Sequence, residues 1–151
     1  MAVSPKIESI IADFVKAAGL ADMPIPSVEI EAEELSPHLP PTKLPPGMLA
    51  VYIFMHGDAR LKGGRAGPNS SARYCYQHYV PGSARSTLAG SLLRCGKPRD
   101  DRILTLDTVR DWICGRTQRT NILIPKEYGI PTWFFLRHSF NAASTLNSRG
   151  S

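Results

Sequence analysis

The chain predicts an α/β fold, a small mixed or antiparallel sheet of about three strands flanked by helices, with an N-terminal helix. Three observations carry this. Residues 49–55 form a continuous apolar run rich in Val and Ile, the pattern of a buried strand. Turn chemistry follows at His56-Gly57-Asp58, and residues 59–65 can return as a hairpin partner. Apolar residues then recur at helical spacing on both sides of this hairpin. At 151 residues, 42% hydrophobic and 21% charged, the chain fits one globular domain.

The elements follow in order. Ser4-Pro5 is a cap followed by an N1 proline, and Ile7, Ile10, Ile11, Phe14 and Val15 lie at helical spacing until Gly19. Residues 1–21 are thus an N-terminal helix. Residues 22–47 hold seven of the 13 prolines, with Glu29, Glu31, Glu33 and Glu34 among them. They read as an extended connector with one short strand at 28–30. Residues 48–130 form the main domain. Within it, Asn69 or Ser70 can cap a helix that reaches about Tyr79 and stops at Pro81-Gly82. Residues 86–93 make a second helix, with Leu88, Leu92 and Leu93 inward. Residues 107–114 make a third, with Val109, Trp112 and Ile113 on one face. Residues 120–124 read as a strand. No internal repeat is visible.

The formal net charge is +5, and its distribution is informative. Residues 1–50 carry three Lys/Arg against seven Asp/Glu, whereas residues 56–102 carry nine against three. A basic middle behind an acidic front points to a polyanion partner for the middle. The three cysteines are odd in number and lack metal-ligand spacing, which argues against a disulfide framework or a zinc site. There is no secretory apolar region and no apolar stretch near eighteen residues, so a cytoplasmic protein without a membrane partner is expected.

The residues that can carry chemistry lie between positions 51 and 78. Tyr52 sits mid-strand, sharing a face with Phe54 by period-two alternation. Its hydroxyl can orient a water or accept its proton; the plain alternative is a core tyrosine. Lys62 and Arg65 flank Gly63 and Gly64, where glycine lets backbone amides approach an anion. Arg73 offers a fork suited to phosphate, and His78 can pass protons near neutral pH.

The ordered set of a tyrosine, a basic glycine loop, Asn69, Arg73 and His78 resembles the GIY-YIG nuclease superfamily. Ala50-Val51-Tyr52 is similar to its first motif, with alanine for glycine. Lys62-Gly63-Gly64 falls at its second, with lysine for tyrosine, and Arg65 stands where a basic residue is usual. The resemblance covers roughly residues 48–95 and is nearest to a bacterial branch with that lysine and a proline-rich lead-in. It implies a Mg²⁺-dependent endonuclease acting on nucleic acid, DNA first. Tyr52, Lys62, Arg73 and His78 would be its catalytic residues. Arg65 and Asn69 would contact nucleic acid, and the basic residues Lys97 and Arg99 are expected to add phosphate contacts. Tyr52 would position or deprotonate the attacking water, and Arg73 would stabilise the charged transition state.

The pattern breaks at residues 131–151. The family carries its metal-binding glutamate on a C-terminal helix, yet the helical candidate at 132–143, TWFFLRHSFNAA, has no acid. No Asp or Glu follows Glu127. No metal ligand can therefore be assigned, and Mg²⁺ normally requires a carboxylate. The segment is better explained in another frame. Taking the third base of each codon from Thr132 onward as the first of a new codon, the tail can spell LVLLEAFLQRRLNPQFEG. That string has amphipathic helical spacing, a proline stop and a glutamate. It resembles the glutamate helix of the bacterial branch, so a frame-shifted or degenerate C-terminus is expected. The domain would then be an impaired phosphodiesterase. The alternative is a non-catalytic α/β domain that binds nucleic acid or protein.

Overall fold

The computed structural model describes residues 3–129 and Leu136. The first helix, α1, spans Pro5–Leu20, and the Ser4 hydroxyl accepts from the Ile7 amide at its start. This is the expected cap followed by an N1 proline. Ile7, Ile10, Phe14 and Ala18 form its buried stripe.

The connector holds more structure than its composition suggested. The strand expected at 28–30 is instead a 3₁₀ turn at Ser27–Glu29. The strand, β1, comes next at Glu31–Leu35. β2 is Met48–His56 and β3 is Ala59–Ala66, joined by the expected tight turn. The sheet is closed by β4, Gln118–Pro125. Its order is β1-β4-β2-β3, all pairs antiparallel, so the sheet has four strands where about three were expected. The acidic β1 is accepted at the edge because its carboxylates find partners. Glu34 bonds the Ser4 amide and the Gln118 side chain, and Glu33 accepts from Asn121.

Alternation along the strands divides the core in two. Leu49, Val51, Ile53, Ile122 and Ile124 face α1, together with Leu136. Ala50, Tyr52, Phe54 and Leu123 face the other side. That side is covered by α2 (Ser71–Cys75), α3 (Leu88–Cys95) and α4 (Val109–Arg116). α3 starts under a Thr87 cap, two residues later than the pattern predicted. The helix expected from residue 69 to 79 is broken. It is a 3₁₀ turn at Pro68–Ser70, then α2, then a second 3₁₀ turn at Gln77–Tyr79. Asn69 is exposed in the first turn, and the Ser70 hydroxyl turns back to the Gly67 amide instead of capping α2. The break matters because it turns His78 and Tyr79 into the core, where both are buried. Among the described residues, no helix is long and apolar enough to cross a membrane. The helix expected at 132–143, and the exposure expected for Trp133, Phe134 and Phe135, lie outside the described residues apart from Leu136.

Candidate functional site

Tyr52 lies on the helix-covered face of β2, opposite Gly64 of β3. Its hydroxyl is 2.7 Å from His78 Nε2. The other ring nitrogen, His78 Nδ1, accepts from the Leu88 backbone amide at 3.1 Å. An amide N–H can only donate, so Nδ1 carries no proton. The neutral ring then holds its proton on Nε2 and donates it to the Tyr52 oxygen. Burial, with Arg73, Arg119 and Lys62 nearby, pushes the His78 pKa down to about 3, so the ring is neutral at physiological pH.

Lys62 and Arg73 are close enough to this pair for their charges to act on His78. Lys62 Nζ donates to the Ser86 hydroxyl at 2.6 Å. Its pKa is lowered by burial and by the charges of Arg73 and Arg94. Arg73 comes from α2, Arg94 from the last turn of α3 and Lys62 from β3, so cations of two helices act on the Lys62 ammonium. No carboxylate is among the groups acting on Lys62 or His78. Like charges gathered without a counter-charge repel one another, and an anion relieves that repulsion.

Gly64 explains part of the basic glycine motif. A Cβ there would lie 2.6 Å from the Tyr52 hydroxyl and 2.8 Å from the ring carbon bearing it, closer than real contacts allow. Gly64→Ala is therefore expected to cost about 1–3 kcal/mol and to push Tyr52 off His78. Urea unfolding, together with the His78 ring signals in NMR, checks this. Unchanged stability with an intact Tyr52–His78 bond would show that the close approach is not needed.

The sequence-derived residues divide into two groups. Tyr52, Lys62, Arg73 and His78 are brought together. Arg65 is not: it pairs with Val51, whose side chain faces α1, so it belongs to the opposite face of the sheet. Asn69 is exposed one turn before α2. Lys97 and Arg99 lie in the segment after α3, where Arg99 and Arg102 bond each other's backbone. That segment is tied to the hairpin end by Asp100, which accepts from Trp112 Nε1 at 2.9 Å and lies 3.5 Å from His56.

Four features escaped the sequence reading. Arg94 and Ser86 complete the surroundings of Lys62. Beneath the site lies Arg119, with no exposed surface. Its guanidinium donates to Asn121 Oδ1 (2.8 Å), the Tyr79 hydroxyl (2.9 Å) and the Tyr74 carbonyl (2.7 Å). It stands 4.9–5.9 Å from the ring centres of Tyr74, Tyr52, Phe54 and Tyr79. A second tyrosine–histidine pair, Tyr79 with His38 at 2.9 Å, adjoins it. The signal for Arg119 was its period-two spacing from Asn121 and Leu123, the residues of β4 opposite in face to Ile122 and Ile124. Starting the strand at residue 120 left Arg119 outside it.

Metal chemistry fits these groups poorly. Around Tyr52 the described residues offer an imidazole, an ammonium and guanidinium groups, whereas Mg²⁺ takes oxygen ligands and at least one carboxylate. Among the described residues, no three His, Cys, Asp or Glu side chains come together as a metal site. A cleft of about 680 Å³ opens elsewhere, lined by Glu31, Glu33, Lys43, Tyr74 and Leu123. Its acidic rim suits a polyanion less well than the Lys62 face does. No protein-family model, curated protein or solved structure matches the chain.

Proposed function

We propose that the chain is a nucleic-acid-directed domain of the GIY-YIG type that grips phosphodiesters through its Lys62 face but cuts them poorly. The observation that carries this reading is the meeting of Lys62, Arg73 and Arg94, without a carboxylate, over the Tyr52–His78 pair. The three cations would neutralise phosphate oxygens, and the Arg73 fork would orient one of them. Binding is favoured over cutting for two reasons. Tyr52 has no exposed surface in this structure, and the groups around it do not fit a divalent cation.

The alternative, a binding domain with no phosphodiesterase ancestry, shares the same cations and makes the same first prediction. Fluorescence anisotropy of a labelled DNA duplex across a salt series tests it. The logarithm of the binding constant is expected to fall steeply with the logarithm of salt. Lys62→Ala and Arg73→Ala should each flatten that slope by about 0.9. No binding at low salt, or slopes indifferent to both substitutions, would remove the basis for this reading.

A further inference from the structure

One aromatic side chain points away from the core. Among the described residues every other tyrosine, phenylalanine and tryptophan is buried or half-buried, whereas Tyr76 is 49% exposed. Its backbone is held on both sides. The amide donates to the Ala72 carbonyl at 3.0 Å, and the carbonyl accepts from the Tyr79 amide at 2.9 Å. The first of these bonds closes the last turn of α2, so Tyr76 stands one turn beyond Arg73. Residues spaced by three on a helical turn are neighbours, with Cβ atoms about 5–6 Å apart.

Neither side chain is engaged elsewhere. Among the described residues the Tyr76 side chain makes no hydrogen bond or ring contact, and the Arg73 guanidinium makes no hydrogen bond or ion pair. The Arg73 charge acts on Lys62, as does that of Arg94. Lys62 in turn holds Ser86, which belongs to the loop that begins at the exposed Val80, directly after the Gln77–Tyr79 turn. The Ser83 hydroxyl ties that loop back to the turn through the carbonyls of Gln77 (3.0 Å) and Val80 (2.6 Å). An open aromatic ring thus neighbours an uncompensated guanidinium. The other large apolar side chains that stand out of the surface, Leu20 and Val28 among them, are aliphatic and offer no ring to stack on.

We propose that Tyr76 is a stacking platform for an unpaired base whose phosphate lies on Arg73 and Lys62, so that the nucleic acid this face takes is single-stranded. The inference deepens the proposed function and rests on it for the phosphate contacts; the stacking contact is separate. A base inside a duplex has both faces covered by its neighbours. An unpaired base has a face to offer, and stacking on an aromatic ring tolerates any sequence because every base has such a face. The spacing suits one nucleotide. A phosphate and its base are separated by one sugar, a span comparable with that between side chains one helical turn apart.

The test measures fluorescence anisotropy of the full chain with three labelled probes: a short oligothymidine strand, an abasic strand of the same length and charge, and a duplex. At low salt the unaltered protein is expected to bind the thymidine strand at least about fivefold more tightly than the abasic strand. Tyr76→Ala should remove that advantage while leaving the duplex affinity and the salt slope unchanged. Tyr76→Phe, which keeps the ring, should retain it. Equal affinity for the thymidine and abasic strands in the unaltered protein overturns the inference without any variant. An advantage that survives Tyr76→Ala overturns it as well. In either case, a salt slope that Lys62→Ala flattens leaves the proposed function standing. A base-dependent advantage that Tyr76→Ala abolishes, with a slope indifferent to Lys62→Ala and Arg73→Ala, does the reverse: it keeps the platform and removes the phosphate grip. No binding of any probe at low salt overturns both.

Discussion

Cleavage of DNA in Mg²⁺ is expected to rise by orders of magnitude when one compensating insertion or deletion near codons 130–132 restores the alternative frame of the tail. The chain has Tyr52, His78 and a cluster of cations on one face, but no Asp or Glu after Glu127. The one described residue of the tail, Leu136, is buried with the α1 cluster, on the far side of the sheet from Tyr52, so the prediction requires that the tail in the other frame pack on the Tyr52 side instead. In the other frame, the last base of the Leu136 codon and the first two of Arg137 can encode a glutamate on an amphipathic helix. A metal ligand contributes several kcal/mol of transition-state charge stabilisation, and each 1.4 kcal/mol is about tenfold in rate. Plasmid-nicking assays of the two proteins decide the matter. Equal cleavage by both, or a gene whose codons cannot spell that helix, contradicts the frame-shift account.

The second large effect is acid instability starting well above the carboxylate range. His38 and His78 are buried beside Arg119, and their pKa values fall from the ordinary 6.5 to about 4 and about 3. Above pH 6.5 neither state of the protein binds these protons, and stability is at its full value. As the pH drops below 6.5 the unfolded chain takes up both protons, while the native rings stay neutral until about pH 4 and 3. Stability therefore declines by about 1.4 kcal/mol per pH unit for each ring. At pH 5 the combined loss is about 4 kcal/mol, a large share of the 5–15 kcal/mol that holds a typical domain. The urea midpoint should drop sharply between pH 7 and pH 5. His38→Gln, which keeps a hydrogen-bonding side chain but cannot charge, should roughly halve the slope. A midpoint constant from pH 7 to pH 5 would show that the rings are not held neutral in the native state.

The parts of this molecule legible in its sequence are those whose signal is local. The Ser4-Pro5 start, the apolar run into the His56-Gly57-Asp58 turn and the spacing of Val109, Trp112 and Ile113 each specify an element without help. β1 was hidden because Glu31-Ala32-Glu33-Glu34 has linker composition. It is a strand only because β4 offers an edge and Ser4, Gln118 and Asn121 satisfy its carboxylates. The break after α2 was hidden for a similar reason, since local propensity allows an unbroken helix. The burial of His78 and Tyr79 against Tyr52, Phe54 and Arg119 outweighs it. Of the site, the order of Tyr52, Lys62, Arg73 and His78 could be read, but their convergence needed the hairpin register and that break. Arg119 could not be placed from its own residue type, because an arginine beside a strand ordinarily reaches for solvent.

NMR observation of the arginine Nε–H and lysine Nζ groups during titration with a short DNA duplex tests the central claim most directly. The Arg73, Arg94 and Lys62 signals are expected to shift together and to saturate at one stoichiometry. Arg65, on the α1 face, should stay where it is, and the Tyr52–His78 bond should persist. Shifts confined to Arg65 or to the α4 arginines Arg110 and Arg116, with Lys62 and Arg73 unmoved, would contradict the account.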